Sequence, residues 1–522
     1  MSGQETNLPI LYFDDEKTHD RWVGNGDFQR VLKSVRPGNN GPTVRVAVTQ
    51  QTFSRLPRII AFASAMALSP APVLPRFDVP ADRKIHDAFL RYYAKVRDAL
   101  AATLVRLAPI DPNLEAILRK TQETATDSSW PNFLRLLGVL SDDVFIGPHT
   151  FHLDLSNRCN TNCIFCGLHS PLLKDPQKKI RGRRFTEGWR GRTVDREIFA
   201  NLVDDLAAIG TREDVLFSGE GEPMTHPDVD WMIRYVKERD LRLTLFTNGL
   251  KMTPERADML SQVGLDILYW SLSAGNAKTF VKLQPARQES DYRRMIEVMT
   301  GLVEKKRKRE NKPYIILAHV INALNFDECL TVMERAKAIG VDSVRYQVMH
   351  SCSSTESLLI SKEQFEVAKE QIDKARKIAQ EAGIEIVANI DFQLESAAKV
   401  FELPETVLPC YWSYDLFNNT GCLAGWFFSR SFTDGRISFC CHDKIVGSLY
   451  RGRFKDIWFS DRYREIRRRA KAFDLRDNMD LTDESCGGML LDEDCNYCGN
   501  YEFINRALLD LDELNWRQFL LR

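Results

Sequence analysis

The pattern of apolar and polar positions changes character near His149. Downstream of that residue, short apolar runs alternate with longer segments in which apolar residues recur at helical spacing. Short apolar runs bounded by turn residues are typical of buried strands, and longer amphipathic segments are typical of helices. Strands that alternate with helices in this way predict parallel βαβ units, and therefore an α/β fold.

The pattern predicts six such units. The strands are expected at Phe151–Leu155, Val215–Ser218, Arg242–Thr247, Ile267–Ser273, Ile315–Ile321 and Ser343–Val348. The helices are expected at Asp195–Ile209, Asp228–Arg239, Glu255–Val263, Tyr292–Arg307, Phe326–Ile339 and Lys362–Ala382. Six units predict a partial (β/α)6 barrel whose functional site lies at the carboxyl ends of the strands.

The regions on either side of these units differ from them. The N-terminal region is mixed and mainly helical in pattern, with a short strand expected at Val44–Thr49. After Pro404 the chain becomes cysteine-rich and irregular, and a closing amphipathic helix is expected at Leu508–Leu521. A chain of 522 residues is too long for one hydrophobic core. We therefore expect three domains, at residues 1–147, 148–403 and 404–522.

Charge and hydropathy exclude two classes of partner. The formal net charge of −1 gives no general attraction to nucleic acid or to a membrane surface. The longest apolar run, from Ile59 to Leu74, is interrupted by Pro70 and Pro72 and is too short to span a bilayer. The N-terminus lacks a signal-peptide pattern. We therefore expect a cytoplasmic protein with no nucleic-acid or membrane partner.

The twelve cysteines are distributed unevenly. None precedes Cys159, and two dense groups run from Cys159 to Cys166 and from Cys410 to Cys498. Clustered cysteines in a chain without a secretory signal favour metal or redox chemistry over a disulfide framework. Cys329 and Cys352 lie between the groups, and we expect them to pack in the core.

The first group has the spacing C-x3-C-x2-C, formed by Cys159, Cys163 and Cys166 after the first predicted strand. Iron–sulfur clusters usually take four thiolates, so three cysteines leave one iron open to a substrate or cofactor. The alternative is a structural zinc site with His169 as a fourth ligand.

This motif, with the aromatic Phe165 before its last cysteine, resembles that of the radical S-adenosylmethionine (SAM) superfamily. The resemblance implies a catalytic [4Fe–4S] cluster whose open iron binds the amino and carboxylate groups of SAM. It also implies that SAM is reductively split into methionine and a 5′-deoxyadenosyl radical that abstracts a hydrogen atom.

Further motifs extend the resemblance along about 250 residues of the chain. The segment Phe217–Pro223 is similar to the glycine–glycine–glutamate–proline motif that receives the methionine amino group, which implies that Gly221 and Glu222 contact SAM. Glu220 replaces the first glycine of that motif. Ser271 and Ser273 end the fourth strand, where family members often bind the SAM ribose, and otherwise would be capping residues. Thr247–Gly249 adds a weaker signal.

The C-terminal cysteines resemble the SPASM/twitch extension of radical SAM enzymes, which carries auxiliary iron–sulfur clusters. The resemblance implies one auxiliary cluster held by Cys422, Cys440, Cys495 and Cys498, with a hairpin turn at Asp434–Gly435 between the first two. Met489 and Gly499 stand where a full SPASM domain has further cysteines, which favours the one-cluster twitch form. Cys410, Cys441 and Cys486 are then spare. The alternative for this region is a zinc ribbon.

Other polar residues leave several possibilities open. The loop from Lys174 to Arg192 is strongly basic, which favours a solvated surface. The alternative is that it steers an acidic partner, either a flavodoxin-like reductant or a phosphorylated substrate. His319, Asn322, Arg345 and Gln347 lie on or after the last two strands, and some of them must face the barrel interior because side chains alternate along a strand.

We therefore expect a radical SAM oxidoreductase that receives electrons from a flavodoxin- or ferredoxin-type protein. The first hypothesis for its reaction is oxidation or rearrangement of a small polar molecule such as a sugar or cyclitol. The alternative is modification of a ribosomally made peptide, and a further one is a zinc-stabilised, non-enzymatic scaffold. We expect residues 1–147 to help enclose the site. The sequence names cofactor-binding and metal-binding residues but no catalytic residue.

Overall fold

The computed structural model divides the chain into two compact units, Met1–Ile146 with Asn505–Arg522, and Gly147–Ile504. The structure describes residues 10–11, 43–47, 69–73, 130–141, 144, 146–173, 188–211, 213–309, 312–349, 354–387, 390–391, 393–394, 421–442, 444–471, 482–483, 488–489, 504 and 506–510. In these ranges no helix has the length and apolar character needed to cross a membrane.

The described part of the first unit contains a small parallel sheet and a helix. Its strands are β1 (Ile10–Leu11), β2 (Thr43–Ala47) and β3 (Ser69–Val73), in that order, and its helix is α1 (Trp130–Ser141). The strand predicted at Val44–Thr49 is confirmed two residues shorter at its end. Asn132 of α1 donates a hydrogen bond to Asp510, which lies in a helical stretch at residues 506–510. The remainder of the closing helix lies outside the described residues.

The second unit is built on a ten-stranded sheet. Its parallel strands, in chain order, are β4 (Thr150–Asp154), β5 (Asp214–Ser218), β6 (Leu243–Thr247), β7 (Ile267–Ser271), β8 (Tyr314–Ile321), β9 (Ser343–Val348) and the short β10 (Glu385–Ile386). Each pairs in parallel with the next along the chain. The six predicted strands are confirmed with shifts of one or two residues at their ends.

Helices connect these strands, as the sequence predicted. They are α2 (Arg196–Ala208), α3 (Val229–Lys237), α4 (Pro254–Gln262), α5 (Ala277–Leu283), α6 (Glu289–Arg307), α7 (Cys329–Ile339) and α8 (Lys362–Ala382). Their starts have local causes. The Asp195 carboxylate accepts two backbone hydrogen bonds at the start of α2, and Ser361 forms a capping box at the start of α8. Helix α5 was not predicted, and α7 begins three residues later than expected.

The cysteine-rich segment continues the same sheet. It contains α9 (Ala424–Phe427), β11 (Phe428–Ser431), β12 (Arg436–Ser438), β13 (Ile445–Ser448), α10 (Phe454–Trp458) and α11 (Asp461–Lys471), and farther on a small pair, β14 (Thr482–Asp483) and β15 (Gly488–Met489). Strand β11 pairs in parallel with β4, and β11–β12–β13 form an antiparallel meander. The segment is therefore bonded directly to the edge of the barrel sheet.

One face of the parallel strands is covered by helices, and the opposite face is here called the open face. Phe217 packs on Phe199 of α2, with ring centroids 5.9 Å apart, and the Tyr346 hydroxyl donates to the Cys329 carbonyl at the start of α7. Because strand side chains alternate, the residues flanking Phe217 and Tyr346 point to the open face. The sequence left this register undecided, and the packing now fixes which polar residues line the barrel interior.

Candidate active site

The three cysteines of the first group lie on the loop that follows β4. Cys159, Cys163 and Cys166 are all half-buried free thiols. Backbone N–H groups of Leu168 and His169 donate to the Cys166 sulfur at 3.4 and 3.3 Å. Burial raises the pKa of Cys159 to about 11 and raises that of Cys163 further. Ionising these thiols therefore needs a strong positive partner, such as the irons of a cluster.

A neighbouring segment braces this loop. The Ile164 N–H donates to the Leu283 carbonyl at 2.9 Å, and the Thr161 hydroxyl donates to Gln284 at 2.9 Å. Leu283 ends α5, the helix that the sequence analysis missed. Helix α5 thus helps to fix the cysteine loop, which explains why a short helix is inserted between β7 and α6.

The glycine-rich segment after β5 lies directly against the cysteine loop. A Cβ at Gly221 would lie 2.6 Å from the Ser156 carbonyl oxygen, so only glycine fits this approach. Gly219 has a positive φ of 127° and lies against Asp154. The Glu222 N–H donates to the Arg158 carbonyl at 2.8 Å. Two segments that are far apart in sequence are therefore joined backbone to backbone.

The Glu222 carboxylate is buried and held by three donors. Its oxygens accept hydrogen bonds from the Met224 N–H at 3.1 Å, the Thr247 hydroxyl at 2.7 Å and the Asn248 N–H at 2.7 Å. Burial nevertheless raises the pKa of Glu222 above its ordinary value. A cationic ammonium would be a favourable further partner for this carboxylate. Thr247 and Asn248, a weak signal in the sequence, fix the carboxylate in place.

The remaining predicted cofactor contacts are Phe165 on the cysteine loop and Ser271 and Ser273 at or just after the end of β7. Phe165 is half-buried within the cysteine loop. Ser271 is half-buried at the end of β7, on the open face. Ser273 is buried, and its hydroxyl accepts a hydrogen bond from the Val320 N–H at 3.3 Å. The structure thus gives the Ser273 hydroxyl a partner within the protein. For Ser271, binding of the SAM ribose and a capping role both stay predictions.

The open face carries aromatic and polar groups. Phe246 and Tyr269 stack with centroids 4.1 Å apart, and the Arg345 guanidinium lies 5.8 Å from the Tyr269 ring. His152 lies on the same face, on β4. His319, by contrast, lies on the helix-covered face, where it contacts Tyr346 with centroids 6.0 Å apart. Burial lowers the pKa of His319 to about 4.

A group of buried charges adjoins the site and was missed by the sequence analysis. Arg430 of β11 donates to both oxygens of Asp154, at 3.2 and 2.6 Å, and lies 3.9 Å from Glu220. Glu220 also accepts a hydrogen bond from the Trp189 indole at 2.9 Å. His152 lies 3.2 Å from Asp154, and burial lowers its pKa. The only sequence signal was the unusual glutamate within the glycine motif.

Three cysteines of the second group lie in described residues. Cys422 and Cys440 are buried, and the hairpin between them turns at Gly435, which has a positive φ of 74°. Burial raises the pKa of Cys422 to about 12. The turn predicted at Asp434–Gly435 is confirmed. Cys410, Cys486, Cys495 and Cys498 lie outside the described residues.

The donors at both sites fit iron–sulfur clusters, because each consists of free thiols that share one loop or hairpin. His169, the candidate zinc ligand, has its Nε2 2.8 Å from the Glu220 carbonyl and its ring stacked on Trp189. Among the described residues, no group of three or more His, Cys, Asp or Glu side chains is arranged to hold a single metal ion.

Comparison with known families agrees with this geometry. Residues 153–336 match the radical SAM superfamily, and residues 422–488 match the SPASM iron–sulfur cluster-binding domain. The chain therefore carries a radical SAM domain, followed by a SPASM domain. The two domain matches imply SAM and [4Fe–4S] clusters as cofactors, and they set aside the interpretation as a non-enzymatic zinc scaffold.

Relatives of this radical SAM enzyme have varied names. It is 23% identical, over 37% of its length and 49% of the relative, to the tungsten-containing aldehyde ferredoxin oxidoreductase cofactor-modifying protein of Pyrococcus furiosus. It is 32% identical, over 23% of its length and 27% of the relative, to the PqqA peptide cyclase of Ruegeria pomeroyi. The chain thus spans half or less of each relative. The solved structure of Streptococcus suis SuiB matches 80% of this chain and 85% of SuiB, with 14% identity and a TM-score of 0.47.

Proposed function

We propose that Cys159, Cys163 and Cys166 bind the catalytic [4Fe–4S] cluster, and that Gly221 and Glu222 receive the methionine end of SAM. The observation that carries this proposal is the backbone contact that joins the segment with the buried Glu222 carboxylate to the loop with the three thiols. When bound, the cluster supplies the electron that splits SAM and starts radical chemistry. A flavodoxin- or ferredoxin-type protein is the proposed electron donor.

The protein's own residues would perform three tasks in this reaction. Glu222 would accept hydrogen bonds from the SAM ammonium, since its carboxylate is already oriented by Thr247 and Asn248. The small glycine at position 221 would allow backbone groups to approach the ligand. The backbone donors at Cys166 would stabilise thiolate charge, because a hydrogen bond to the charged form favours it.

The second cysteine region would bind an auxiliary cluster through Cys422 and Cys440, with Cys495 and Cys498 proposed as the other ligands. Cys422 and Cys440 flank a hairpin whose first strand pairs with β4 of the barrel. An auxiliary site attached to the barrel in this way is suited to accept the electron that is left when a substrate radical is oxidised.

For the substrate, we favour a ribosomally made peptide. One relative carries the name of a peptide cyclase, and the open face offers a stacked aromatic pair beside Arg345, which suits an apolar side chain next to a carbonyl or carboxylate. This reverses the order of the two hypotheses from the sequence. The small polar molecule stays the second candidate, because His152 and Gln347 on the same face could bind hydroxyl groups.

The cofactor assignment is tested by anaerobic formation of 5′-deoxyadenosine from SAM and a chemical reductant. Cys163→Ala is expected to abolish product formation, because the cluster loses one of its three protein ligands. Cys329→Ala is the matched control, since Cys329 is buried on α7 and belongs to neither cysteine group. Undiminished product from Cys163→Ala would contradict the assignment.

The substrate proposal is tested by co-expressing the enzyme with short peptides encoded beside its gene, and by measuring peptide mass. We expect a peptide to lose two hydrogens with the wild-type enzyme and to stay unchanged with Cys163→Ala. If every such peptide is unchanged, whereas a sugar or cyclitol is oxidised while 5′-deoxyadenosine is formed from SAM, the second candidate is correct.

A further inference from the structure

A continuous series of buried and partly buried polar contacts connects the SPASM hairpin with the cysteine loop. It begins at the Cys441 carbonyl, runs through Arg430 and Glu220, and ends at the Cys166 sulfur. The charged side chains in it are almost fully buried, with Arg430 and Glu220 each 8% exposed and Asp154 fully buried. We call these three residues, with Trp189 and His169, the inter-site bridge.

Arg430 forms the SPASM end of the bridge. Its Nη1 donates to the Cys441 carbonyl at 2.8 Å, while Nε and Nη2 donate to the Asp154 carboxylate. The guanidinium also lies 4.4 Å from the centroid of the Phe432 ring. A guanidinium with all three nitrogens engaged has one orientation, so Arg430 fixes the Cys440–Cys441 segment relative to β4.

Glu220 forms the catalytic end. Its carboxylate accepts from Trp189 at 2.9 Å and faces Arg430 at 3.9 Å, and its carbonyl lies 2.8 Å from the His169 Nε2. The His169 N–H in turn donates to the Cys166 sulfur at 3.3 Å. Glu220 directly precedes Gly221 and Glu222. A small displacement of Glu220 would therefore move both the proposed SAM contacts and the hydrogen bonding at Cys166.

Stability alone does not require this arrangement. Burying three charges costs several kcal/mol per ion before their mutual attraction is counted, and apolar replacements of buried ion groups are often neutral or stabilising. A glycine at position 220 would avoid burying one of the carboxylates. The three charges also sum to a net negative charge between the two cysteine sites, where it acts on any group that gains or loses an electron.

We propose that Glu220 and Arg430 are positioning residues that couple SAM binding at the catalytic site to the reduction potential of the auxiliary cluster. The bridge ties the SAM-binding segment and the auxiliary hairpin to the same two charged side chains. Coupling of this kind is reciprocal, so reduction of the auxiliary cluster changes SAM affinity by the same factor by which SAM changes the reduction equilibrium. The inference rests on the proposed assignment of Cys440 to the auxiliary cluster.

The test is a redox titration of the fully reconstituted enzyme, followed by electron paramagnetic resonance with and without SAM. In the wild type we expect SAM to shift the midpoint of the auxiliary cluster. Glu220→Gln keeps the side-chain shape and an oxygen that can accept from Trp189. Arg430→Lys keeps the positive charge but loses the planar guanidinium that donates to both oxygens of Asp154. Each is expected to lose at least half of the shift. Glu220→Gln should also raise the midpoint itself, because one buried negative charge is removed.

Arg436→Lys is the matched control. Arg436 lies on the same hairpin and also faces the Phe432 ring, at 5.3 Å, but pairs with Asp434 instead of the bridge. It should keep the full shift. If either bridge variant fails to load clusters, Trp189→Phe removes a single donor to Glu220 and should reduce the shift partially.

Two results would overturn the inference: no SAM-dependent shift in the wild type, or a full shift in the bridge variants that load both clusters. Failure of the ligand assignment is distinguishable from both. In that case Cys440→Ala would keep both clusters, whatever the bridge variants do.

Discussion

The two cysteine regions of this chain differ in how far apart in the sequence their cysteines lie. The proposed catalytic cysteines lie on one loop, from Cys159 to Cys166, which contacts α5 and the glycine segment after β5. The proposed auxiliary ligands extend from Cys422 to Cys498, and the first two flank a hairpin that joins the edge of the barrel sheet. One site is local in sequence, whereas the other depends on tertiary structure.

This difference predicts which kind of substitution should disturb each site. Substitutions that add side-chain atoms beside the cysteine loop should displace it, because Gly221 lies in contact with the backbone of Ser156 and Asn157. The auxiliary hairpin is connected to the barrel through strand pairing and through Arg430, so it should respond to changes in charge and pairing. The predictions below distinguish sensitivity to backbone packing from sensitivity to charge.

The largest effect is expected from Gly221→Ala. The new methyl group would overlap the backbone of Ser156 and Asn157, each 2.6 Å away, and would push the glycine segment from the cysteine loop. Displacement on this scale typically costs about 100-fold in rate. The measurement is the rate of 5′-deoxyadenosine formation, with Gly301→Ala as control, since nothing lies within 4 Å of a Cβ at that helical position. Equal rates for the two variants would show that the contact is unimportant.

A smaller effect is expected from Glu222→Gln. The variant removes the charge that would pair with the SAM ammonium, and a hydrogen bond to a charged group contributes about 1.5–3 kcal/mol, or about 10- to 100-fold in affinity. Equilibrium binding of SAM to the cluster-loaded enzyme measures it, with Glu289→Gln, an exposed residue at the start of α6, as control. If both variants bind SAM as the wild type does, the role proposed for Glu222 is wrong.

The sequence predicted more of the local site than of its surroundings. The six barrel strands, the cysteine loop and the glycine motif each depend on short-range patterns, so their existence and order could be predicted. The parallel pairing of β11 with β4 joins residues about 280 positions apart, and no local pattern encodes such a pairing. For the same reason Arg430 could not be connected with Asp154 or Glu220, although the unusual glutamate at position 220 was visible.

The smallest effect on the two cysteine sites is expected from a change at the opposite end of the barrel, where Asp214 begins β5. Burial raises the pKa of Asp214 to about 6, although the Thr244 hydroxyl donates to it at 2.6 Å. The folded state therefore binds more protons than the unfolded state between about pH 4 and 6, and stability falls as the pH rises through that window.

Asp214→Asn removes this penalty above pH 6. We expect it to raise the free energy of unfolding by about 3 kcal/mol at pH 7.5 and to change it little at pH 4, as measured by chemical denaturation at both pH values. Cluster content and SAM cleavage should be unaffected, because Asp214 is remote from the carboxyl ends of the strands. Equal effects at the two pH values would contradict the explanation by burial.

The most direct test of two separate cluster sites is the iron content of a variant in which Cys159, Cys163 and Cys166 are all replaced by alanine. We expect about eight irons per wild-type chain and about four in the variant, with no 5′-deoxyadenosine formed and with the auxiliary cluster still visible by electron paramagnetic resonance. A folded variant that contains no iron and binds zinc in its C-terminal region would contradict the account.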